Sequence, residues 1–294
     1  MKFMKRFGLT IITSLIAVSV NFAAEQTFEK SLSATSGQTL HLVSDRGSIS
    51  VEGADLSSVT VRATVRGSKK GVSGFQISAE LGTDGVSVFG KDPVRGRENI
   101  LVDFLVKVPR EYDLDVRTAG GPLQFSGITG RVKGSTGGGS LTVRNMKGTQ
   151  DLRSGGGSIV VEDIHGAVVA ETGGGSISVR RVAGNVRATD SGGPIVAENI
   201  HGTVTVETKG GSIKISGGDG EIQAVSLGGP IEIFVPKTIA ATIDASSGGG
   251  EVVCDLPVTP SQKVETSRLQ GTVNGGGIPI HAHTDGGSIK IRAE

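Results

Sequence analysis

A short glycine-rich phrase that returns at a fixed interval is the feature that most constrains this chain. The phrase GGGSI at residues 155–159 returns at residues 173–177, eighteen residues later. The aliphatic residue that ends the phrase has equivalents at the same interval over seven positions: Leu123, Leu141, Ile159, Ile177, Ile195, Ile213 and Ile231. Repetition of this length is typical of stacked arrays, in which each repeat buries its apolar face against its neighbours.

Each repeat contains two short segments in which every second residue is apolar. In GGGSIVVEDIHGAVVAET, the first segment has Ile159 and Val161, and the second has Val168 and Ala170. Alternation with a period of two is the β-strand pattern, and the glycines between the segments suit tight corners because they have no Cβ. We therefore predict an all-β fold, a single-stranded parallel β-helix (β-solenoid) with eighteen-residue coils that wind in the right-handed sense.

A three-sided coil is the alternative, because eighteen is also three times six. A left-handed helix built from hexapeptides needs an aliphatic residue on each of its three sides. Steps of six from Ile164 reach Ala170 and then Ser176, so the third side is polar. This favours a coil with two sheets, and it leaves open a short third face.

The regular interval does not extend over the whole chain. Residues 25–111 predict an irregular β region that contains the first coils and an N-terminal cap, which terminal repeats need. Residues 112–294 predict the β-solenoid repeats. After Ile231 the next match to the phrase is Val252, three residues late. We therefore expect an insertion near Pro236.

The first 24 residues predict export. Residues 1–24 combine a basic start, a short apolar run and small residues near a cut, as a signal peptide does. We expect a protein of the periplasm, the cell surface or the extracellular space, with no membrane span after signal removal. Loss of three of the 30 basic residues, against 29 acidic ones, leaves a net charge of −2. This balance argues against a nucleic-acid partner, and the single cysteine, Cys254, excludes an intramolecular disulfide.

Three passages resemble a known bacterial family. They are the GGGSI-type coils, VPKTIAATIDASSGGGEV at residues 235–252 and GTVNGGGIPIHAHTDGGSIKI at residues 271–291. Most of residues 40–294 resembles the exported β-strand-repeat proteins of unknown function that are labelled "putative adhesins". The resemblance implies a single-stranded parallel β-helix, and it brings no catalytic residues with it.

The sequence offers only weak candidates for metal binding. Calcium-binding β-rolls also have eighteen-residue coils, but they need an Asp in each turn, and the GGGSI corners have none. His165 and His201 lie two coils apart, too far to share one zinc ion. His281 and His283 share one strand face, with Asp285 near them, and could hold a metal weakly. We expect exposed side chains there, and we predict no metal site and no cofactor.

Outward charges form a pattern along the predicted stack. The residues three after each core aliphatic residue alternate in sign: Arg144, Glu162, Arg180 and Glu198. The next column adds a second opposite pair, Asp163 and Arg181, between Asn145 and Asn199. We hypothesise that this ladder fixes the stacking register, because a slip of one coil would place like charges together. Each exposed pair contributes only about 0.2–1 kcal/mol, so the effect would be on specificity.

The sequence favours binding over catalysis. No catalytic residue is predicted, because serines and glycines are too numerous for a triad to stand out and the charges are scattered. The first hypothesis is a non-enzymatic surface-interaction or structural protein of the cell envelope, similar to adhesins. Its partner would be an envelope protein or a glycan. The alternatives are a β-helix enzyme that acts on polysaccharide and a partner-binding regulator of envelope stress. Carboxylates and a basic residue that converge in one groove would favour the enzyme.

Overall fold

The computed structural model describes residues 24–93, 99–262 and 265–294. The predicted signal peptide lies outside these residues, except for Ala24, where the first strand begins. No helix among the described residues is long and apolar enough to cross a membrane.

The described residues form two long β-sheets, sheet A with thirteen strands and sheet B with fourteen. The N-terminal elements are β1 (Ala24–Ser33), β2 (Thr39–Ser44), β3 (Ser48–Ala54), β4 (Ser58–Gly67), α1 (Lys69–Gly74), β5 (Gln76–Leu81), β6 (Gly85–Lys91) and β7 (Ile100–Pro109). The central elements are β8 (Asp113–Thr118), β9 (Leu123–Ser126), β10 (Val132–Thr136), β11 (Leu141–Lys147), β12 (Gln150–Ser154), β13 (Ile159–His165), β14 (Val168–Thr172), β15 (Ile177–Ala183), β16 (Val186–Asp190), β17 (Ile195–His201), β18 (Val204–Thr208), β19 (Ile213–Gly218), β20 (Ile222–Ser226) and β21 (Ile231–Val235). The C-terminal elements are β22 (Ala241–Ser247), β23 (Val252–Cys254), β24 (Val258–Pro260), β25 (Arg268–Val273), β26 (Ile278–Thr284) and β27 (Ile289–Ala293).

In the central array, each coil pairs with the next coil along the sequence. Ile159 lies between Leu141 and Ile177 in sheet A, and Val168 pairs with Val186 in sheet B. All these pairs are parallel and eighteen residues apart, so every coil contributes one strand to each sheet. The predicted all-β solenoid with eighteen-residue coils is confirmed.

Each central coil also bends at one residue with left-handed backbone geometry. The φ angles in this column lie between 54° and 71°: Gly127, Asn145, Asp163, Arg181, Asn199 and Gly217. Glycine, asparagine and aspartate tolerate this region. After the bend, a further residue pairs with its copies, as Ile164 does with Val182. The coil therefore has a short third face beside its two sheets.

The core is thin and apolar. In one coil its members are all at most 1% exposed: Ile159, Val161, Ile164, Val168 and Ala170. Neighbouring coils present equivalent residues to the same layer, so one apolar cluster continues along the stack. Because each buried methylene stabilises the fold by about 0.8 kcal/mol, the stability of the array grows with each coil that is added.

A row of buried polar side chains runs along the end of sheet B, where each coil enters its glycine corner. Thr172 is typical of the row: its Oγ1 donates to the carbonyl of Gly157 at 2.8 Å and accepts from the N–H of Gly175 at 3.4 Å. The other hydroxyls of the central row behave in the same way: Thr136, Ser154, Thr208 and Ser226. Asp190 is the exception. Its Oδ1 accepts from two glycine N–H groups at 2.8 and 2.9 Å, and its buried Oδ2 has no hydrogen-bond partner among the described residues.

At the N-terminal end, the coils are stacked in an order that differs from the sequence. Strand β2 lies between β6 and β8, and β3 lies between β7 and β9, in parallel register. Beyond them the pairing becomes antiparallel, with β4 on β7, β1 on β4 and β5 on β6. The first coil is thus enclosed by a later segment of the chain.

The C-terminal end shows the same inversion. Strand β26 lies between β20 and β22, and β27 lies between β21 and β23. The expectation that Val252 follows Ile231 after an insertion is therefore wrong, since Ile289 lies between them and pairs with both. All three residues follow a glycine cluster, so their spacing does not reveal which of them are neighbours. Antiparallel strands β25 and β24 then extend sheet B at its end.

Candidate functional site

The outward face of sheet B carries a grid of polar side chains near its N-terminal third. Strands β8, β10 and β12 are neighbours, so Asp115, Lys133 and Asp151 form one column in register. Two residues further on, Arg117, Ser135 and Arg153 form the next column. The strand period of two directs both columns to the solvent side, opposite the core.

Two arginines bind the aspartates of their own strands. Arg117 donates from Nε and Nη2 to the two carboxylate oxygens of Asp115, both at 3.1 Å. Arg153 donates from Nε to Asp151 at 3.1 Å, and its Nη1 also contacts Glu171. The two ion pairs therefore run along β8 and β12, on either side of the middle strand β10.

The surface is depressed over the middle strand, because its outward residue Ser135 is smaller than Arg117 and Arg153 on either side. A groove of about 330 Å³ results, with Ser135 in its lining and the two arginine–aspartate pairs as its walls. A second depression of about 190 Å³ continues it, and the two share Asp115 and Lys133. We call these two depressions together the Lys133 groove.

Lys133 differs from every other charged residue that lines this groove. In the second depression, Arg131 is paired with Asp113 at 2.9 Å, and His41 contacts Asp84 at 2.9 Å. Asp115 and Asp151 flank Lys133 in register, but their carboxylates are turned towards arginines. Among the described residues, no carboxylate lies within ion-pair distance of the Lys133 ammonium. Within the part of the chain that the structure describes, the groove thus presents one cation that is free to bind an anion.

The carboxylates of the groove suit binding better than proton transfer. A general acid for sugar hydrolysis is typically a carboxyl group in an apolar pocket. The side chains of Asp115 and Asp151 are instead 27% and 40% exposed, and each accepts a hydrogen bond from an arginine. They therefore offer fixed acceptor atoms, while the arginines and Ser135 offer donors.

On sheet A, the charged residues of the first predicted column contact one another. Arg144 Nε lies 2.8 Å from Glu162, Arg180 Nε lies 2.8 Å from Glu198, and Arg180 Nη1 lies 3.8 Å from Glu162. The hydrogen bond from Arg144 lowers the pKa of Glu162, and burial opposes this shift. The structure thus brings all four residues of this column together.

In the second column, the structure pairs Asp163 with Arg181. Arg181 donates from Nε and Nη2 to the two oxygens of Asp163 at 2.7 and 3.0 Å. The same hydrogen bonds lower the pKa of Asp163 and raise that of Arg181. Arg181 also has the left-handed backbone of this column, with φ of 54°, which costs an ordinary side chain about 1–2 kcal/mol.

The three metal candidates near the C-terminus are placed in a different arrangement. His283 contacts Ser246 Oγ through Nδ1 at 2.9 Å and Asp285 through Nε2 at 3.0 Å. His281 lies on the same strand, in register between Gln223 and Asp244. The described residues contain no group of three His, Cys, Asp or Glu side chains that could hold a metal. His283 and Asp285 thus form a hydrogen-bonded pair at the surface.

The Lys133 groove was not predicted, although the sequence carries a signal for it. The tripeptides Asp-Val-Arg at 115–117 and Asp-Leu-Arg at 151–153 lie two coils apart, with Lys-Gly-Ser at 133–135 between them. The repeat interval places these three tripeptides on adjacent strands. An Asp-x-Arg pair on an outward strand face indicates an ion pair along the strand.

The fold and its surface define a two-sheet β-solenoid whose outward faces carry ordered columns of charge. The chain belongs to the Toastrack DUF4097 family, whose family model matches residues 38–292. The sequence resemblance to a repeat family labelled "putative adhesin" is thereby confirmed.

Several crystal structures are similar to this chain. A "putative cell adhesion protein" from Clostridium sporogenes ATCC 15579 is 14% identical, with 92% of this chain and 100% of that chain covered and a TM-score of 0.23. A "putative adhesin" from Bacteroides fragilis NCTC 9343 is 13% identical, with 90% and 97% covered and a TM-score of 0.39. A "putative adhesin" from Parabacteroides merdae ATCC 43184 is 13% identical, with 90% and 96% covered and a TM-score of 0.34. No curated protein matches the chain.

Proposed function

We propose that this protein is a non-enzymatic, adhesin-like β-solenoid that acts outside the cytoplasm by binding a partner of the cell envelope. The observation that carries the proposal is the Lys133 groove, where donors and acceptors are held in fixed positions and one cation has no carboxylate partner among the described residues. The predicted signal peptide at residues 1–24 supports the location. An envelope glycan or protein is the partner we expect.

The rigidity of the scaffold supports a binding role. Each strand that carries the groove is hydrogen-bonded on both sides: β8 lies between β2 and β10, β10 between β8 and β12, and β12 between β10 and β14. The arginine–aspartate pairs further restrict the side chains of the walls. A surface that is ordered before binding loses little conformational entropy when a partner binds, so even shallow polar contacts contribute to affinity.

A polysaccharide-cleaving enzyme is the second candidate, because the groove does bring carboxylates and basic residues together. Asp115 and Asp151 lie two strands apart, about 9.6 Å between backbones at the usual strand spacing. Inverting glycosidases hold their two carboxyl groups about 6.5–9.5 Å apart. The arginine bound to each aspartate is the feature that favours binding over this alternative.

Two measurements on residues 25–294 test the proposal. Labelled protein is incubated with the envelope fraction and, separately, with the cytosolic fraction of the source cells, and we expect saturable binding to the envelope fraction alone. The same protein is then assayed for release of reducing ends from cell-wall and capsular polysaccharides. Turnover that Asp115→Asn and Asp151→Asn both abolish would establish the enzyme instead. Absence of envelope binding would contradict the binding role.

Fractionation of cells that express the full chain tests the location. We expect the protein in the periplasm, at the surface or in the medium, and shortened by the signal peptide. A protein of full length that stays in the cytosol would contradict export. A chain that starts at residue 25 is the matched control, because it lacks the predicted signal and should remain inside.

A further inference from the structure

We propose that the Lys133 groove binds a uronic acid unit of an acidic polysaccharide, with the sugar carboxylate on the Lys133 ammonium. This inference rests on the proposed function and names the partner class for one site. It draws on the charge, the shape and the backbone pairing of the groove.

The charge of the groove favours a ligand with one anionic group at this position. Asp115 and Asp151 lie on both sides of Lys133 but accept their hydrogen bonds from Arg117 and Arg153. The ammonium of Lys133 is exposed and has no carboxylate partner among the described residues. A ligand carboxylate at this point would pair with Lys133 without breaking either wall. One negative charge per ligand unit is the composition of a uronate polymer.

The walls of the groove favour a ligand that carries hydroxyl groups next to its anionic group. Each wall offers guanidinium N–H donors beside carboxylate acceptors, and Ser135 adds a hydroxyl group that can donate or accept. A sugar ring carries hydroxyls that donate and accept at neighbouring positions, so it can satisfy both sets. A simple inorganic anion would use the donors only, and the carboxylate oxygens of Asp115 and Asp151 would then accept nothing beyond the hydrogen bonds from their own arginines.

The length of the groove favours a polymer over a free monosaccharide. The larger depression, about 330 Å³, is close to the lower limit of about 300 Å³ for small-ligand pockets. It continues into the depression of about 190 Å³ on the other side of Lys133. Two adjoining depressions around one cation suit consecutive units of a chain, with the carboxylate of one unit at the shared position.

An acidic peptide fits the same charge less well. Peptides bind β-sheets best by adding a strand at an open edge, through backbone hydrogen bonds. Strands β8, β10 and β12 lie in the interior of sheet B, so their backbone groups are already paired on both sides. A peptide over the groove would have side-chain contacts only.

Calorimetric titration of residues 25–294 with polygalacturonate tests the inference. Neutral dextran, dextran sulfate and poly-glutamate of similar length are the comparison polymers. We expect polygalacturonate to bind and neutral dextran not to bind. Lys133→Gln should weaken binding about tenfold or more, which corresponds to about 1.4 kcal/mol.

Arg187→Gln is the matched control variant. Arg187 is exposed on the same outward column of sheet B, beyond Val169, and lies outside the groove. Loss of this charge should leave the affinity for polygalacturonate within about twofold. Both variants change an exposed side chain. Melting temperatures equal to that of the wild type will show that both remain folded.

Four outcomes would overturn the site. They are absence of polygalacturonate binding, equal weakening by Lys133→Gln and Arg187→Gln, equal affinity for dextran sulfate, and tighter binding of poly-glutamate. The second and third would indicate unspecific attraction of polyanions, and the fourth a peptide partner. Envelope binding that Lys133→Gln leaves unchanged would overturn the site while the proposed function stands. Uronate binding without envelope binding would support the site and contradict the proposed function.

Discussion

The central array and the two ends of this solenoid are built from similar coils, but they are stacked by different rules. From β8 to β21, the spatial neighbour of each coil is its neighbour in the sequence. At both ends, a coil is instead enclosed by a segment from elsewhere in the chain, as β26 and β27 are by β20 to β23. The eighteen-residue interval therefore identifies stacking neighbours only within the array. At each end, a segment that is distant in the sequence returns to cover a coil.

Removal of the enclosed C-terminal coil should have the largest effect. Deletion of residues 278–294 takes away the strands that join β22 and β23 to the array. The remaining antiparallel strands β22, β25 and β24 lose the strand that pairs them with the array, and a small sheet without a packing partner is marginally stable in water. The open edges of β20 and β21 invite association. We expect protease cleavage within residues 236–277 and soluble oligomers, measured by mass spectrometry and light scattering.

The control for this deletion is removal of Glu294 alone, which loses one backbone hydrogen bond to Val235. It should remain monomeric and resistant to protease. If the long deletion behaved in the same way, the enclosed coil would not be what holds the C-terminal segment to the stack.

Alanine substitutions at two glycines of one corner should differ sharply in their effect on stability, because the two glycines differ in their contact with the preceding coil. A Cβ at Gly175 would overlap the carbonyl oxygen of Gly157, whereas a Cβ at Gly174 would meet nothing within 4 Å. We expect Gly175→Ala to lower the free energy of unfolding by about 1–3 kcal/mol. Gly174→Ala should change it by about 0.5 kcal/mol or less. Chemical denaturation of both variants provides the comparison, and equal midpoints would contradict the close stacking of corners.

The coil that contains Asp190 should become more stable when it is made like its neighbours. Asp190→Thr would supply the hydroxyl that the rest of the row uses to bridge glycine corners, and would remove a buried oxygen that has no partner in the described ranges. We expect a gain of about 1–3 kcal/mol in urea unfolding at neutral pH. Asp190→Asn should also stabilise, because its amide N–H can donate where Oδ2 cannot.

The reverse change, Thr172→Asp, is the matched control and should destabilise the fold by a comparable amount. The interpretation of the row would be wrong if Asp190→Thr and Asp190→Asn both left the unfolding midpoint unchanged or lowered it.

The charge ladder on sheet A should have the smallest effect on stability. Arg180→Glu would place three like charges in one column, and we expect a loss of about 0.2–1 kcal/mol per affected pair. The triple variant Glu162→Arg, Arg180→Glu, Glu198→Arg restores alternation and should recover that loss at low salt. High salt should reduce both effects because it screens exposed charges. A triple variant no more stable than the single one at low salt would show that the ladder does not act as a unit.

The contribution of the ladder to folding stability should also decrease at acid pH. The pKa values of Glu162 and Asp163 lie below their ordinary values of 4.5 and 3.8, because arginines bind the charged forms. A lowered pKa in the folded state stabilises the fold above the ordinary pKa, and this contribution is lost as pH falls through the lowered value. The difference between wild type and Arg180→Glu should therefore shrink below about pH 4. A difference that stays constant down to pH 2 would contradict this linkage.

The array could be predicted from the sequence because every stacking neighbour lies eighteen residues away. The same interval placed Arg144, Glu162 and Arg180 in one column. The left-handed bend was missed, although Asn145 and Asn199 mark it, since Arg181 in the same column does not favour that geometry.

The ends could not be predicted, because Ile231, Val252 and Ile289 follow similar glycine clusters and their spacing fits more than one stacking order. The groove was missed for a different reason. The interval gives the positions of Asp115, Lys133 and Asp151, but it does not give the direction in which Arg117 turns. Whether Lys133 is paired or free depends on that rotamer.

The enclosed coils also determine where a solenoid of this kind can change its length during evolution. Duplication of an eighteen-residue unit at either end would separate a coil from the segment that encloses it. Duplication within residues 159–235 adds a copy between two existing templates, and it leaves both ends and the Lys133 groove on β8 to β12 in place. Relatives with longer or shorter stacks should therefore differ by whole units in this middle stretch, with both ends inherited intact.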